Sequence, residues 1–231
     1  MKNFDEYKLY VFDLDGTLYD QPRLRMTMAK RLFGFYCLHP FKIKELFLLQ
    51  EFRKVKDSWD NDKALEISLS FEEDSRIDSV DNKICEYIAS KKRINKRVIT
   101  EVVAKWIYEN PLNAIYDSRD EKLIRIIELI RDNGHRAVIL SDYPVVAKLE
   151  ALKLIVDGAY SGTDSKIGEL KPSPKGLKII MEELNVDGSD VIMIGDRMEK
   201  DGLAALNAGV DYLILPRKIK ARDNIYKDMR V

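Results

Sequence analysis

Cysteine is scarce in this chain of 231 residues, which holds only Cys37 and Cys85. Two thiols cannot supply the disulfide framework of a small secreted domain, so a reducing cytoplasm is the expected setting. Histidine is as rare, and neither His39 nor His135 stands in a metal-ligand spacing, so both are expected to be structural or surface residues. Net charge is missing too. The 39 basic and 39 acidic side chains cancel, which leaves no whole-protein attraction for nucleic acid or a membrane surface. No apolar run reaches the ~18 residues of a membrane span, and Met1-Lys2-Asn3-Phe4-Asp5-Glu6 lacks the apolar stretch of a signal peptide. No nucleic-acid or membrane partner is therefore expected. Internal repeats and low-complexity segments are also absent. What remains is an ordinary 45% hydrophobic fraction and a length that allows one large domain or a domain carrying an insert.

The informative stretch lies near the N-terminus, where the apolar run Leu9-Tyr10-Val11-Phe12 stops at Asp13-Leu14-Asp15-Gly16-Thr17. A short run with a valine and two aromatics reads as a buried strand. Gly16 bends the chain just after the two carboxylates, which places them at the strand's carboxyl end, where open α/β sheets bind ligands. Hard oxygen ligands gathered there suit Mg2+, and a metal-neutralised aspartate can attack phosphorus. The plainer alternative is a strand ending in a turn that favours Asp and Gly for conformational reasons.

From residue 21 to about residue 116 the sequence shows helical spacing and no convincing strand. The segments are 23–38, 41–56, 61–70, 79–90 and 97–108, the last stopped by Asn110-Pro111. Nearly a hundred such residues are too many for a loop and read as a separate helical domain over 21–114, between 1–20 and 115–231. Strand–helix alternation resumes near Ala114. A helix over 121–133 closes at Gly134, and Ala137-Val138-Ile139-Leu140 is a strand ending at Ser141-Asp142. Residues 144–152 read as a helix with Pro144 in its first turn, and 174–184 as another. Val191-Ile192-Met193-Ile194 is an apolar strand ending at Gly195-Asp196; 201–208 is helical, 212–215 the last strand, and the tail from Lys218 is only weakly patterned. Continuous apolar strands alternating with helices imply a Rossmann-like parallel sheet covered on both faces. In such a sheet all carboxyl ends share one edge, so Asp13–Thr17, Ser141-Asp142 and Gly195-Asp196 must converge.

Asp13-Leu14-Asp15-Gly16-Thr17 resembles the first motif of the haloacid dehalogenase-like (HAD) hydrolase superfamily in its phosphatase form. Ser141, Lys171 ahead of a helix in Lys171-Pro172-Ser173-Pro174, and Gly195-Asp196 followed by Asp201 resemble the second, third and fourth motifs, in the family's order. The resemblance implies Asp13 as nucleophile, forming an aspartyl-phosphate, and Asp15 as general acid and then base. The family's dehalogenase branch lacks the second Asp, so Asp15 favours phosphoryl transfer. Thr17, Ser141 and Asp142 would bind the phosphoryl group, and Lys171 would hold Asp13 ionised and offset charge on the substrate. Asp13, Asp15 (through its backbone carbonyl) and Asp196 would ligate Mg2+. Ser141 has an alternative reading as a helix N-cap, Lys171 as a surface charge, and Asp201 as an N-cap rather than a metal or second-layer partner. Arg197-Met198-Glu199-Lys200 is bulkier and more charged than the family's usual small polar residues there.

The resemblance implies an Mg2+-dependent phosphatase acting on a small phosphorylated metabolite, with the helical domain as a cap that selects it. A phosphomutase uses the same motifs, and a non-catalytic binding protein on the same fold is the third reading. In the cap, Arg23, Arg25, Lys30 and Arg31 follow the first motif, and Lys91-Lys92-Arg93-Ile94-Asn95-Lys96-Arg97 is the densest basic run. Solvated faces are the ordinary fate of such residues.

Overall fold

A computed structural model of the chain describes residues 2–67 and 73–229. Its sheet has five parallel strands in the order β3-β2-β1-β4-β5: β1 (Leu9–Phe12), β2 (Arg136–Ser141), β3 (Gly158–Ser161), β4 (Val191–Gly195) and β5 (Asp211–Ile214). Side chains alternate between the faces, as the two-residue period of a strand requires. Tyr10, Phe12, Ile139 and Ile194 join one buried cluster with Leu123, Ile127 and Ile130 of α7 (Glu121–Asp132). Leu9, Val11, Val138 and Met193 join the other with Leu177 and Ile180 of α9 (Lys175–Leu184) and Ala204 and Ala205 of α10 (Leu203–Ala208). Both faces are dry, which is why β1, β2 and β4 read as continuous apolar runs.

Between β1 and α7 the described residues form helices only: α1 (Gln21–Leu38), α2 (Glu45–Asp57), α3 (Asn61–Leu65), α4 (Ser79–Lys92), α5 (Lys96–Val103), which widens into a π-turn over Ala104–Glu109, and α6 (Leu112–Ile115). Residues 68–70 of the expected third segment lie outside the described residues. The two chain crossings run side by side at the neck: Asp20 N–H donates to the Ser118 carbonyl (2.7 Å) and Asp120 N–H to the Leu18 carbonyl (2.8 Å). Leu24, Phe52, Ile84 and Trp106 from these helices belong to the same connected apolar cluster as Phe12 and Ile127. The basic run from Lys91 is the turn between α4 and α5, where Lys91 pairs with Glu66, Lys92 with Glu51 and Arg97 with Glu101.

Several boundaries differ from the sequence reading. β3 was not anticipated, because Gly158-Ala159-Tyr160-Ser161 is a half-covered edge strand with no apolar run. Alternation does not resume at Ala114; residues 112–118 are helical turns, and α7 begins after the N-cap Asp120. Pro144 is not in the first turn of its helix. α8 spans Val146–Leu152, because the Ser141 hydroxyl first accepts the Tyr143 N–H and holds the chain in a turn. Phe41 lies in a turn before α2 and is exposed.

The tail has a definite place. α11 (Asp223–Asp228) follows Arg222, whose side chain is 0% exposed. Its guanidinium donates to the carbonyls of Gly16 (2.6 Å), Thr17 (2.7 Å) and Pro216 (2.6 Å) and to Asp120 Oδ2 (3.2 Å), which also accepts the Tyr226 hydroxyl (2.6 Å). Arg222→Met would strand those carbonyls and leave the buried Asp120 carboxylate without its cation. Unfolding in urea should show a loss of about 3 kcal/mol, typical of breaking a buried pair; a loss under about 1 kcal/mol would mean that the tail does not brace the loop.

Candidate active site

β1 pairs with β2 and β4 through Phe12, opposite Ile139 and Ile194. Asp13, Ser141 and Asp196 therefore leave the sheet together at its carboxyl edge, on the central strand and its two neighbours. Asp13 N–H donates to the Ile194 carbonyl (2.8 Å), carrying the ladder one residue past β1. The loop then turns at Gly16 with φ +102°, where a Cβ would come within 2.8 Å of Asp196 Oδ2. Only glycine meets both conditions.

Lys171 occupies the centre of the cluster. Its Nζ donates to Asp13 Oδ1 (2.6 Å), Asp201 Oδ1 (2.6 Å) and the Leu140 carbonyl (3.2 Å), so all three ammonium protons are used. Its own N–H donates to Asp142 Oδ1 (2.8 Å), so Asp142 holds the segment that delivers the lysine. Asp201 does not cap α10. It lies within the wide turn Met198–Gly202, and its Oδ2 accepts the N–H groups of Asp196 (3.2 Å) and Arg197 (3.0 Å). Gly195 makes room for that carboxylate, since a Cβ there would sit 2.3 Å from Asp201 Cγ.

Asp15 is held from three sides. The Ser141 hydroxyl donates to its Oδ2 (3.0 Å), while the Lys148 ammonium and the Tyr19 hydroxyl donate to its Oδ1. Thr17 Oγ1 donates to Asp13 Oδ2 (2.9 Å). Asp196 differs from the rest: among the described residues its Oδ1 is buried without a hydrogen-bond partner, and its Oδ2 has only Arg217 at 3.9 Å. Glu169 and Lys166 are taken up elsewhere, by Ser173 with Lys175 and by Glu183.

The electrostatics follow from this geometry. Burial pushes the Asp13 carboxyl up to about 8; Lys171 opposes the rise, and Asp201 and Asp15 add to it. Lys171 cannot cancel the burial because it is shared between two carboxylates. At Lys171, burial favours the neutral amine, but Asp13, Asp201 and Asp142 outweigh it and raise its pKa. Asp15 goes the other way: burial works to raise it, but Lys148, Tyr19 and Ser141 hold it below the usual carboxylate value. Burial and then Asp201 raise Asp196.

Five carboxylates (Asp13, Asp15, Asp142, Asp196, Asp201) thus face two buried ammonium groups, Lys148 and Lys171. Oxygens of Asp13, Asp196 and Asp201 lie within 4.8 Å of one another. Surplus negative charge, an all-oxygen donor set and one orphaned buried carboxylate oxygen together fit a hard divalent cation.

The structure gathers Asp13, Asp15, Thr17, Ser141, Asp142, Lys171, Asp196 and Asp201 at one edge. Sequence reasoning missed Lys148, Tyr19 and Arg222. The available signal for Lys148 was its place beside Leu149 and four residues before Leu152 on the inward face of α8, where a cation needs a carboxylate partner.

A profile of haloacid dehalogenase-like hydrolases matches residues 7–209. The chain belongs to this family. Glyceraldehyde 3-phosphate phosphatase of Pyrococcus abyssi is 30% identical over 89 residues, a match spanning 37% of each chain. A 2-haloacid dehalogenase of Pseudomonas syringae pv. tomato shares the fold with TM-score 0.60 and 16% identity, over 90% of this chain and 86% of that one. A HAD phosphatase of Thermococcus onnurineus does so with TM-score 0.54 and 20% identity, over 97% of this chain and 100% of that one. Such identities speak to the HAD fold alone. No helix among the described residues is long and apolar enough to cross a membrane.

Removing the shared lysine tests the charge balance of this HAD site. Lys171→Met leaves Asp13 and Asp201 adjacent, buried and unpaired, at a cost of about 3–5 kcal/mol. A carboxyl such as Asp13, whose folded pKa lies above the unfolded value, stabilises the fold at low pH and loses that contribution as pH rises through the folded pKa. Urea unfolding without metal should therefore show a larger loss at pH 8 than at pH 5.5; equal losses would contradict the arrangement.

Proposed function

We propose that the chain is an Mg2+-dependent phosphatase that hydrolyses a small phosphomonoester through an aspartyl-phosphate on Asp13. The observation that carries this reading is Asp15, a second carboxylate held beside the nucleophile by Ser141, Lys148 and Tyr19. A dehalogenase needs no group there to protonate a leaving oxygen. The relative from Pyrococcus abyssi, named for a phosphomonoester substrate, supports the same direction.

In this reading Asp13 Oδ attacks phosphorus, the bond from phosphorus to the leaving oxygen breaks, and Asp15 gives that oxygen its proton. Asp15 rests ionised in the free site; a phosphate anion arriving beside it raises its proton affinity, so that it takes up a proton from solvent before the attack. Asp15 then takes a proton from water, the water oxygen bonds to phosphorus, and the phosphorus–Asp13 bond breaks to release phosphate. Lys171 favours the ionised form of Asp13 against its burial, and Thr17 and Ser141 turn their hydroxyls to the phosphoryl oxygens. Asp142 acts by holding Lys171. Asp13, Asp196 and the Asp15 carbonyl would hold Mg2+, with Asp201 steadying Lys171 and the Asp196 loop; bound, the ion offsets repulsion between the aspartates and the phosphate. Residues 21–114 form a cap domain that excludes bulk water and selects the substrate, over a core of 1–20 and 115–231.

The direct test is phosphate release from a panel of sugar phosphates, nucleotides, phosphoglycolate and p-nitrophenyl phosphate, comparing wild type with Asp13→Asn. Release should vanish in the variant, and more than a tenth of wild-type activity would contradict Asp13 as nucleophile. No release from any compound in wild type would sink the phosphatase reading and send bisphosphorylated sugars into a mutase assay.

Metal binding has its own readout. Mg2+ at a hundredfold over its Kd should stabilise the protein by about 2.7 kcal/mol, seen as a rise in Tm. Asp196→Asn should abolish that rise, and EDTA should stop turnover, with Ca2+ restoring it poorly because of its looser coordination. A rise that persists in Asp196→Asn would place the metal elsewhere.

A further inference from the structure

Two cations, Lys148 and Lys56, stand over the Tyr143 ring just past the Ser141-Asp142 turn, Arg53 lies within electrostatic reach of the same ring, and Arg25 lies within reach of Arg53; among the described residues only the two lysines are answered. Lys148 is paired with Asp15 and lies 4.9 Å from the Tyr143 ring centroid. Lys56 of α2 is paired with the buried Asp81, which also accepts the Tyr108 hydroxyl, and its Nζ is 4.0 Å from the same centroid. The other two are Arg53 of α2 and Arg25 of α1. Neither side chain has a hydrogen bond or ion pair among the described residues.

The position of Arg53 follows from its helix. Lys56 reaches the core over Tyr143. Asp57 reaches it at the fourth motif, where its Oδ1 accepts Arg197 Nη1 (3.1 Å) and its carbonyl accepts Lys200 Nζ (3.1 Å). Arg53 precedes these residues by three and four positions, so it stands on the same face of α2, one turn back. The residue keeps an exposed surface, yet desolvation of its charged end lowers its pKa; Tyr143 works against that shift and Arg25 adds to it. Two guanidinium groups within electrostatic reach of each other, with no carboxylate paired to either among the described residues, repel. A planar fork of donors is also the geometry that takes a carboxylate or phosphate in a bidentate grip.

We infer that Arg53, together with Arg25, receives a second anionic group of the substrate, so that the preferred substrate is a small phosphomonoester carrying a carboxylate or a second phosphate at its far end. This rests on the phosphatase reading for the placement of the first phosphate at Asp13. It separates this chain from a catalyst of glyceraldehyde 3-phosphate hydrolysis, whose substrate is uncharged at the far end.

Two matched pairs test it. 3-Phosphoglycerate and glycerol 3-phosphate differ by a carboxylate against a hydroxymethyl; fructose 1,6-bisphosphate and fructose 6-phosphate differ by the second phosphate. In wild type the doubly anionic member of at least one pair should win by about tenfold or more in kcat/KM. In Arg53→Met that advantage should shrink to about threefold or less, and Arg25→Met should move it the same way. A wild-type advantage below tenfold in both pairs, or one that stays above threefold in Arg53→Met, overturns the inference. p-Nitrophenyl phosphate reports on the phosphatase reading alone. If wild type does not hydrolyse it, the same ratios are read as calorimetric affinities for the four compounds, and the same thresholds decide.

Discussion

The ammonium of Lys171, shared between Asp13 and Asp201, is the contact on which the arrangement of the sheet edge depends. Burying one carboxylate costs several kcal/mol, and this edge buries several within a few ångströms. One lysine cannot neutralise two carboxylates, so the surplus is distributed. Asp201 spends its second oxygen on two backbone N–H groups, Asp15 draws on Lys148, and Asp196 is left with an oxygen that nothing among the described residues meets. The orphaned oxygen is the remainder of a charge balance that the protein leaves open by one cation. In the chemistry proposed above that remainder is useful, because Asp13 as nucleophile would have to be charged yet not repel a phosphate dianion.

The same requirement reaches segments far from the chemistry. A loop with Gly16 at φ +102° and two carbonyls pointing inward needs donors from outside the sheet. Arg222 supplies them from the tail and ties the first-motif loop to Asp120, the residue that caps α7 at the neck of the helical layer. Entry to and exit from that layer are thus fixed by the same side chain that braces the Asp13 loop.

Much of this was legible in the sequence. β1, β2 and β4 announced themselves because both faces of a parallel sheet are dry, and their carboxyl ends carried the residues that the family motifs single out. β3 did not, because an edge strand covered on one side needs no apolar run, and Gly158-Ala159-Tyr160-Ser161 offers none. Lys148 and Arg222 were invisible for a different reason. Their partners, Asp15 and the Gly16 carbonyl, are 133 and 206 residues away in sequence, and a lone cation on a short helix or in a charged tail looks like surface until the fold closes on it. The role of Asp201 was undecidable without coordinates, since an N-cap and an aspartate reaching backwards share the same local sequence.

The charged residues between Asp196 and Asp201, the departure from the family's small polar pattern, are explained by what stands across from them. Arg197 and Lys200 both reach Asp57 at the end of α2. On the other flank Asp78, which precedes α4, accepts from the Thr163 hydroxyl, and Val80 N–H donates to the Thr163 carbonyl (3.0 Å). The helical layer is therefore pinned to the sheet edge on both flanks, at Asp57 through exposed charged side chains and at the buried Thr163 through its hydroxyl and a backbone hydrogen bond. Side-chain ion pairs in water are weak and screened by salt, whereas a backbone hydrogen bond beside a buried threonine is not. If the layer opens to admit substrate, the Asp57 flank is the one that releases first, and the fourth motif, which carries Asp196, feels that release directly.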